Sequence, residues 1–258
     1  MKLICCLLLL VPFGSAQTSQ PAQPAQTKAL QFPAAAPIPT PAQIDQMEQI
    51  LQDWPELARY RAANAALPSP ASGENRVVFM GDSITDAWGT RGQPFFPGKP
   101  YINRGISGQT TTQMLVRFWP DVIALQPKVV LILAGTNDIA GNTGPSTPEM
   151  TEDNLMAMAD LATANHIRVV LSSILPAASF PWRPGIDPVD QIRTLNSWIR
   201  DYCARKGYVY VDYYSAMVNP KFGMKKSLTI DGVHPNQAGY DVMAPLAEKA
   251  ISEALDKK

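Results

Sequence analysis

The sequence contains little cysteine and little histidine. Its 258 residues include three cysteines and two histidines. Cys5 and Cys6 lie in the first apolar run, so removal of that run would leave Cys203 alone, and one thiol cannot close an internal disulfide. Two histidines without a cysteine cluster also make a structural zinc site unexpected. We interpret Cys203 as a small buried apolar residue rather than as a nucleophile.

The chain also lacks an excess of charge of either sign. Lysine and arginine together number 22, aspartate and glutamate together number 22, and the formal net charge is zero. A nucleic-acid partner or an acidic membrane surface would require a basic excess, so neither is predicted. Apolar residues make up 46% of the chain, which is enough for a full core in one α/β unit of this length.

No apolar run reaches the roughly 20 residues that a membrane-spanning helix needs. The shorter run at residues 3–13 follows Lys2 and precedes Gly14-Ser15-Ala16, which is the pattern of a signal peptide covering residues 1–16. A buried strand or a short helix is the alternative. No cysteine follows the run directly, so we expect export to the periplasm or the medium without a stable membrane anchor.

Residues 17–41 are rich in proline, alanine, glutamine and threonine, a composition that predicts a flexible tether. A domain at residues 42–258 follows. It opens with a helix at 42–66 that Asp53-Trp54-Pro55 interrupts, and its catalytic core covers residues 76–258.

Strand and helix patterns alternate through the core. Strands are predicted at 77–81, 101–102, 129–133, 167–175 and 208–211, and helices near 110–125, 148–165, 189–206 and 236–255. The strands are continuous apolar runs, which is typical of strands covered on both faces. We therefore predict an α/β fold with a central parallel sheet of about five strands. Functional sites in such sheets form at the carboxyl ends of the strands.

Two polar motifs follow the first two predicted strands. Gly81-Asp82-Ser83 would present a serine hydroxyl at a strand-to-helix turn, although an ordinary capped turn explains the same residues. The segment from Gly105 to Thr110 contains Gly108, whose backbone amide can donate to a ligand. Taken alone, this second motif favours a tight turn with a threonine cap.

Two further motifs carry amide, carboxylate and imidazole groups. Asn137 ends the most apolar strand and can donate a side-chain hydrogen bond to an oxyanion, although an Asx turn is the alternative. Asp231 and His234 precede the final helix at a spacing that lets both face one cleft; a surface turn is the alternative here. The other histidine, His166, is expected to face solvent at the end of a helix.

These four blocks together resemble those of the SGNH hydrolases, also called GDSL-type acylhydrolases, from about Arg76 to the C-terminus. The resemblance implies a flavodoxin-like three-layer α/β/α sandwich and a serine ester hydrolase without metal or cofactor. It assigns Ser83 as nucleophile, His234 as base and Asp231 as the group that orients it. The Ser83 amide, the Gly108 amide and the Asn137 side chain would form the oxyanion hole. Ile84 stands where the family usually has leucine, a difference expected to affect packing only.

The substrate is less well defined by the sequence. The resemblance implies an open groove, which together with export favours short acyl esters such as O-acetyl groups on carbohydrate. Phe180 and Trp182 are candidate substrate-binding residues. Packing within a proline-rich loop would explain these two aromatic residues equally well. A lysophospholipase or thioesterase-like activity is the first alternative. A non-catalytic carbohydrate-binding relative and an exported structural protein are the others, and the oligomeric state is not predicted.

Overall fold

The computed structural model describes residues 40–90 and 94–257. The predicted signal peptide and almost all of the predicted tether lie outside the described residues. Five parallel strands form one sheet in the order β2-β1-β3-β4-β5. The strands are β1 (Val77–Gly81), β2 (Tyr101–Gly105), β3 (Val129–Leu133), β4 (Arg168–Ser172) and β5 (Val209–Val211).

Helices cover both faces of this sheet. In chain order, the α-helices of the described residues are α1 (Pro41–Gln52), α2 (Arg61–Ala66), α3 (Ser83–Asp86), α4 (Thr111–Asp121), α5 (Thr136–Ile139), α6 (Pro148–Ala164), α7 (Val189–Lys206), α8 (Tyr213–Met217) and α9 (Gln237–Asp256). None of the helices among the described residues is both long and apolar enough to cross a bilayer.

Alternate side chains of each strand enter two separate hydrophobic clusters, as the period of a β-strand requires. In β1, Val78 and Met80 pack with α4, α6 and α7, whereas Val77 and Phe79 pack with α3, α8 and α9. Every residue of β1 is buried. The three-layer α/β/α sandwich and its five-stranded parallel sheet are therefore confirmed.

The strand order creates a switch point between β1 and β3. From β1 the chain continues to β2 on one side of the sheet, and then returns to β3 on the other side, so the segments that follow β1 and β3 diverge and leave a crevice. Gly81 ends β1 at this crevice. A Cβ atom there would lie 2.1 Å from Thr85 Oγ1 and 2.8 Å from the Leu133 carbonyl oxygen. Only glycine therefore fits this sharp turn into α3.

The N-terminal segment differs in detail from the sequence prediction. Its helix is split into α1 and α2, and α1 begins at Pro41, which the prediction gave to the tether. The break is wider than Asp53-Trp54-Pro55 and extends to Tyr60. The Asp53 carboxylate accepts hydrogen bonds from the amides of Leu57 and Ala58 at 2.8 and 2.9 Å. These bonds satisfy amides that no helix uses, so they stabilise the turns between the two helices.

Two single-residue predictions are confirmed. Cys203 is buried, with 1% of its surface exposed, and burial raises the pKa of its thiol to about 12. It is therefore a poor nucleophile. His166 is exposed and has a left-handed φ of +60° two residues after α6, as expected for a residue at the end of a helix.

Candidate active site

Ser83, His234 and Asp231 form a connected hydrogen-bonded chain. The Ser83 hydroxyl lies 3.0 Å from Nε2 of His234, and Nδ1 of the same ring lies 2.7 Å from the Asp231 carboxylate. The serine is 151 residues away from the histidine in the sequence, so only the fold brings them together. A ring that donates from Nδ1 to a carboxylate can accept the hydroxyl proton at Nε2.

The local structure around Ser83 presents its hydroxyl at the crevice. Ser83 is the first residue of α3, directly after β1, so no intrahelical bond uses its amide. Asp82 is the N-cap, and its carboxylate accepts the Ile84 amide at 2.9 Å. The Tyr240 hydroxyl of α9 donates to the Ile84 carbonyl at 2.8 Å and so joins α9 to the start of α3.

A tight turn before α9 holds the acid and the base. One oxygen of Asp231 accepts the amides of Val233 and His234 at 3.0 and 2.8 Å, and the other faces the imidazole. Partial burial raises the pKa of Asp231, but these hydrogen bonds outweigh it and hold the pKa below its ordinary value. The carboxylate therefore remains ionised and available to the imidazole.

Gly108 and Asn137 lie at the same cleft. Gly108 is exposed with a φ of +82°, and its amide has no acceptor among the described residues. Asn137 is buried in α5, and its side-chain nitrogen donates to the Gln109 carbonyl at 3.0 Å. Gly105, the other glycine of its motif, ends β2, and its carbonyl accepts the Tyr60 hydroxyl. Gly108 and not Gly105 therefore faces the cleft.

The sequence did not reveal Asn142, which links three residues of the cleft. Its side-chain nitrogen donates to Asn137 Oδ1 at 2.8 Å and to the Gly108 carbonyl at 3.1 Å. Its side-chain oxygen accepts the Trp182 indole N–H at 3.0 Å. Because Asn142 occupies the oxygen of Asn137, it fixes the orientation of that amide, whose nitrogen also lies 3.4 Å from the Asp82 carboxylate. In the sequence, the only indication of the contact between Asn142 and Asn137 is that the two residues are five positions apart.

The two predicted aromatic residues lie in different environments. Trp182 is 38% exposed, and its ring centroid lies 5.9 Å from that of His234. Phe180 is only 1% exposed and stacks beneath Trp182 at 5.1 Å. The expectation that Phe180 contacts substrate is therefore corrected: its ring packs in the core and supports Trp182. Trp182 lines a cleft of about 340 Å³ together with Ser83, Gly108, Asn137 and His234.

A fully buried arginine, also missed at the sequence level, joins the backbone behind the cleft. The Arg117 guanidinium donates to the carbonyls of Gly81 and Arg104 at 3.0 and 2.9 Å, and so connects the ends of β1 and β2. It also pairs with Asp121 at 3.0 Å and donates to the Gln109 side chain. A buried charge requires such partners, and here they fix the segment that carries Gly108.

Asp82 and Asp138 are carboxylates buried close to the site. Burial raises the pKa of Asp82 to about 7, although the Ile84 amide and the nearby His234 oppose the change. Burial also raises the pKa of Asp138, against hydrogen bonds from the Thr111 hydroxyl and amide. Neither group was assigned a role by the sequence.

The raised pKa of Asp82 predicts a specific pH dependence of stability. An unfolded chain would lose this proton near pH 4, whereas the folded protein keeps it until about pH 7. The contribution of Asp82 to stability is therefore greatest at acidic pH and falls as the pH rises toward 7. Asp82→Asn keeps an oxygen for the Ile84 amide but cannot ionise. Between pH 5 and 7, we expect wild type to lose up to about 2–3 kcal/mol more than this variant.

Thermal unfolding followed by circular dichroism at half-unit pH steps measures this difference. Asp212→Asn is the control, because Asp212 also caps a helix through its side chain but is exposed. Its curve should follow that of wild type. Parallel curves for wild type and Asp82→Asn would show that Asp82 does not titrate in this range.

With this geometry established, comparison with known proteins decides the family. The model of the GDSL-like Lipase/Acylhydrolase family matches residues 79–242. The chain belongs to this family. The matched range includes Ser83, Gly108, Asn137, Asp231 and His234 but omits the N-terminal segment that contains α1 and α2.

Family relatives agree with this assignment. The crystal structure of a GDSL-like lipase from Bacteroides thetaiotaomicron VPI-5482 is 46% identical, with a TM-score of 0.76, and the match covers 78% of this chain and all of that one. An acetylxylan esterase from Geobacillus stearothermophilus is 26% identical over 67% of this chain and 91% of its own length.

A second acetylxylan esterase, from Xylanibacter ruminicola, is 25% identical over 80% of this chain. The match spans only 47% of that longer relative. The family and these relatives together support a carboxylic ester hydrolase.

Proposed function

We propose that the chain is an exported serine ester hydrolase in which Ser83, His234 and Asp231 form the catalytic triad. The observation that carries the proposal is the continuous path from the serine hydroxyl through the imidazole to the carboxylate, at 3.0 and 2.7 Å. His234 takes the proton of Ser83 as the hydroxyl attacks the ester carbonyl, and later gives it to the leaving alcohol. Asp231 stabilises the imidazolium that forms between these steps.

Three donors would hold the oxyanion of the tetrahedral intermediate: the amides of Ser83 and Gly108 and the side chain of Asn137. The Gly108 amide is unused by the described residues, and the Ser83 amide lies at the start of a helix. Asn142 would act as a positioning residue, because it fixes both Asn137 and the Gly108 segment. Donors fixed before the reaction stabilise developing charge without reorganisation.

The proposed substrate is a short acyl ester, with O-acetyl groups on carbohydrate as the first candidate. The relatives from Geobacillus and Xylanibacter are acetylxylan esterases, which supports this class. The cleft of about 340 Å³ is small, and exposed Trp182 offers a flat face beside His234 for a sugar ring. A long lipid chain would need a larger apolar surface, so a lysophospholipase is second. Residues 1–16 support export by their composition.

A fluorophosphonate probe tests the nucleophile directly. The probe should label wild type at Ser83, identified by peptide mass spectrometry, and should leave folded Ser83→Ala unlabelled, because a fluorophosphonate reacts with activated serines. Ser227→Ala is the matched control, since Ser227 is an exposed serine outside the cleft, and it should be labelled like wild type. Folded wild type that resists labelling would favour a non-catalytic carbohydrate-binding protein or a structural protein instead.

A further inference from the structure

A second, larger cavity adjoins the catalytic cleft. It measures about 920 Å³ and lies between residues 53–59 and the segment that carries Gly108. Ser107, Gly108 and Asn142 line both the cavity and the cleft, so the two spaces meet there. We call this cavity the N-terminal groove. Its outer wall precedes residue 79, where the family match begins.

Hydrogen bonds from the core fix the wall of the N-terminal groove. Gln113 of α4 donates its side-chain amide to the Trp54 carbonyl at 2.8 Å, and Gln109 donates to the Pro55 carbonyl at 2.8 Å. Both glutamines are buried, with at most 8% of their surfaces exposed. The wall is therefore bonded to the same segment that presents Gly108 to the cleft.

A second set of contacts joins the wall to the helix of the nucleophile. Arg59 lies 3.6 Å from Asp86, the last residue of α3, and the Ser107 hydroxyl donates to the same carboxylate at 2.6 Å. The ion pair is partly exposed to solvent, so it adds little stability. Its position matters more, because Arg59 lines the groove and its partner Asp86 belongs to the helix that begins with Ser83.

The side chains of the N-terminal groove suit an uncharged ligand rich in hydroxyl groups. Trp54 supplies an aromatic surface, while Glu56, Arg59 and Thr143 supply donors and acceptors. A sugar offers both apolar C–H faces for the indole and hydroxyls for the polar groups.

We propose that the N-terminal groove is a subsite for further sugar residues of the glycan that carries the ester. This inference rests on the proposed esterase function and deepens it, since it makes the preferred substrate an acylated oligosaccharide rather than an isolated acetyl sugar. The groove is larger than the cleft at Ser83, about 920 against 340 Å³, so it accommodates more of the ligand than the acyl group.

Kinetics on substrates of graded length test the subsite. With acetylated xylo-oligosaccharides, the KM of wild type should fall as the chain grows from one sugar to four. Trp54→Ala should raise KM for the tetrasaccharide about tenfold, or about 1.4 kcal/mol, and abolish this dependence on length. Hydrolysis of a small aryl acetate should stay within about twofold of wild type, and Trp54→Phe should recover most of the affinity.

Trp119→Ala is the matched control, because Trp119 is 58% exposed on α4 and does not line the N-terminal groove. It should behave like wild type on every substrate. If Trp54→Ala reduced the hydrolysis of the aryl acetate and of the tetrasaccharide equally, the residue would have a structural role and the subsite would be overturned. An unchanged tetrasaccharide KM, or a loss that follows acyl length instead of glycan length, would overturn it as well.

A binding titration separates the subsite from the esterase mechanism. In Ser83→Ala, which is expected to lack turnover, the added change Trp54→Ala should weaken binding of deacetylated xylotetraose about tenfold. That result would support the groove even if Ser83 proved not to be the nucleophile. If Ser83→Ala and the double variant bound xylotetraose with equal affinity, the proposed subsite would be overturned, and the proposed triad would not be affected.

Discussion

Replacing Ser83 with alanine is expected to lower kcat on an acetyl ester by a factor of about 10⁴ to 10⁶, which is the scale of nucleophile removal in triad hydrolases. The reason is geometric. The Ser83 hydroxyl is the group that lies 3.0 Å from the imidazole, so its loss leaves His234 without a proton to accept. Only the oxyanion donors and substrate binding would remain to favour hydrolysis over the reaction in water.

Steady-state hydrolysis of p-nitrophenyl acetate, with the melting temperature recorded in parallel, measures the effect of Ser83→Ala. The side chain is only partly buried, so the fold should remain intact. His234→Ala should lose activity on a similar scale, and the double variant should be no worse than either single one, because the two groups act as a unit. Turnover of Ser83→Ala near the wild-type rate would exclude the mechanism.

Removing the side chain of Asn137 is expected to lower kcat by a factor of about 10² to 10³, with little change in KM. Such a loss is typical when one oxyanion donor is removed, because the donor acts on charge that develops only in the transition state. The amide of Asn137 is held on two sides, by the Gln109 carbonyl at 3.0 Å and by Asn142 at 2.8 Å. These hydrogen bonds hold the amide group in one orientation.

Measuring kcat and KM of Asn137→Ala separately on the same acetyl ester tests the role of Asn137. Asn75→Ala is the matched control, since Asn75 is exposed, does not line the cleft and accepts a hydrogen bond from Lys128 at 2.9 Å. It should retain wild-type kinetics. If Asn137→Ala raised KM alone and kept kcat, the residue would contribute to ground-state binding and not to the oxyanion hole.

The sheet was predictable because its strands are continuous apolar runs between helical segments. The exception is β2, of which only Tyr101 and Ile102 were predicted. It continues through Asn103 and Arg104, two polar residues that a fully buried strand would exclude. Because β2 is an edge strand of the described sheet, neighbouring segments supply partners for these side chains. Asn103 donates to the Trp88 carbonyl at 3.2 Å, and the buried Arg104 donates to the Asn64 side chain at 2.9 Å.

The polar residues of the site were predictable because each ends a strand or precedes a helix at the switch-point edge. Asn142 and Arg117 were not, since their partners are chosen by tertiary contacts. Nothing local in the sequence shows that Arg117 will reach the Gly81 carbonyl, 36 residues away. Phe180 was misread because an aromatic residue in a proline-rich loop packs inward or outward according to its neighbours. The composition of the loop does not show whether such a side chain is buried or exposed.

Asp231 and His234 lie in the same turn, so the rest of the fold has to align only this turn with Ser83. Since these two groups move together, the alignment across the long gap in sequence reduces to one junction, that of α9 against the start of α3. The Tyr240 hydroxyl spans this junction at 2.8 Å, next to the nucleophile. Loops elsewhere at the sheet edge are therefore free to vary in length and to reshape substrate preference without disturbing proton transfer.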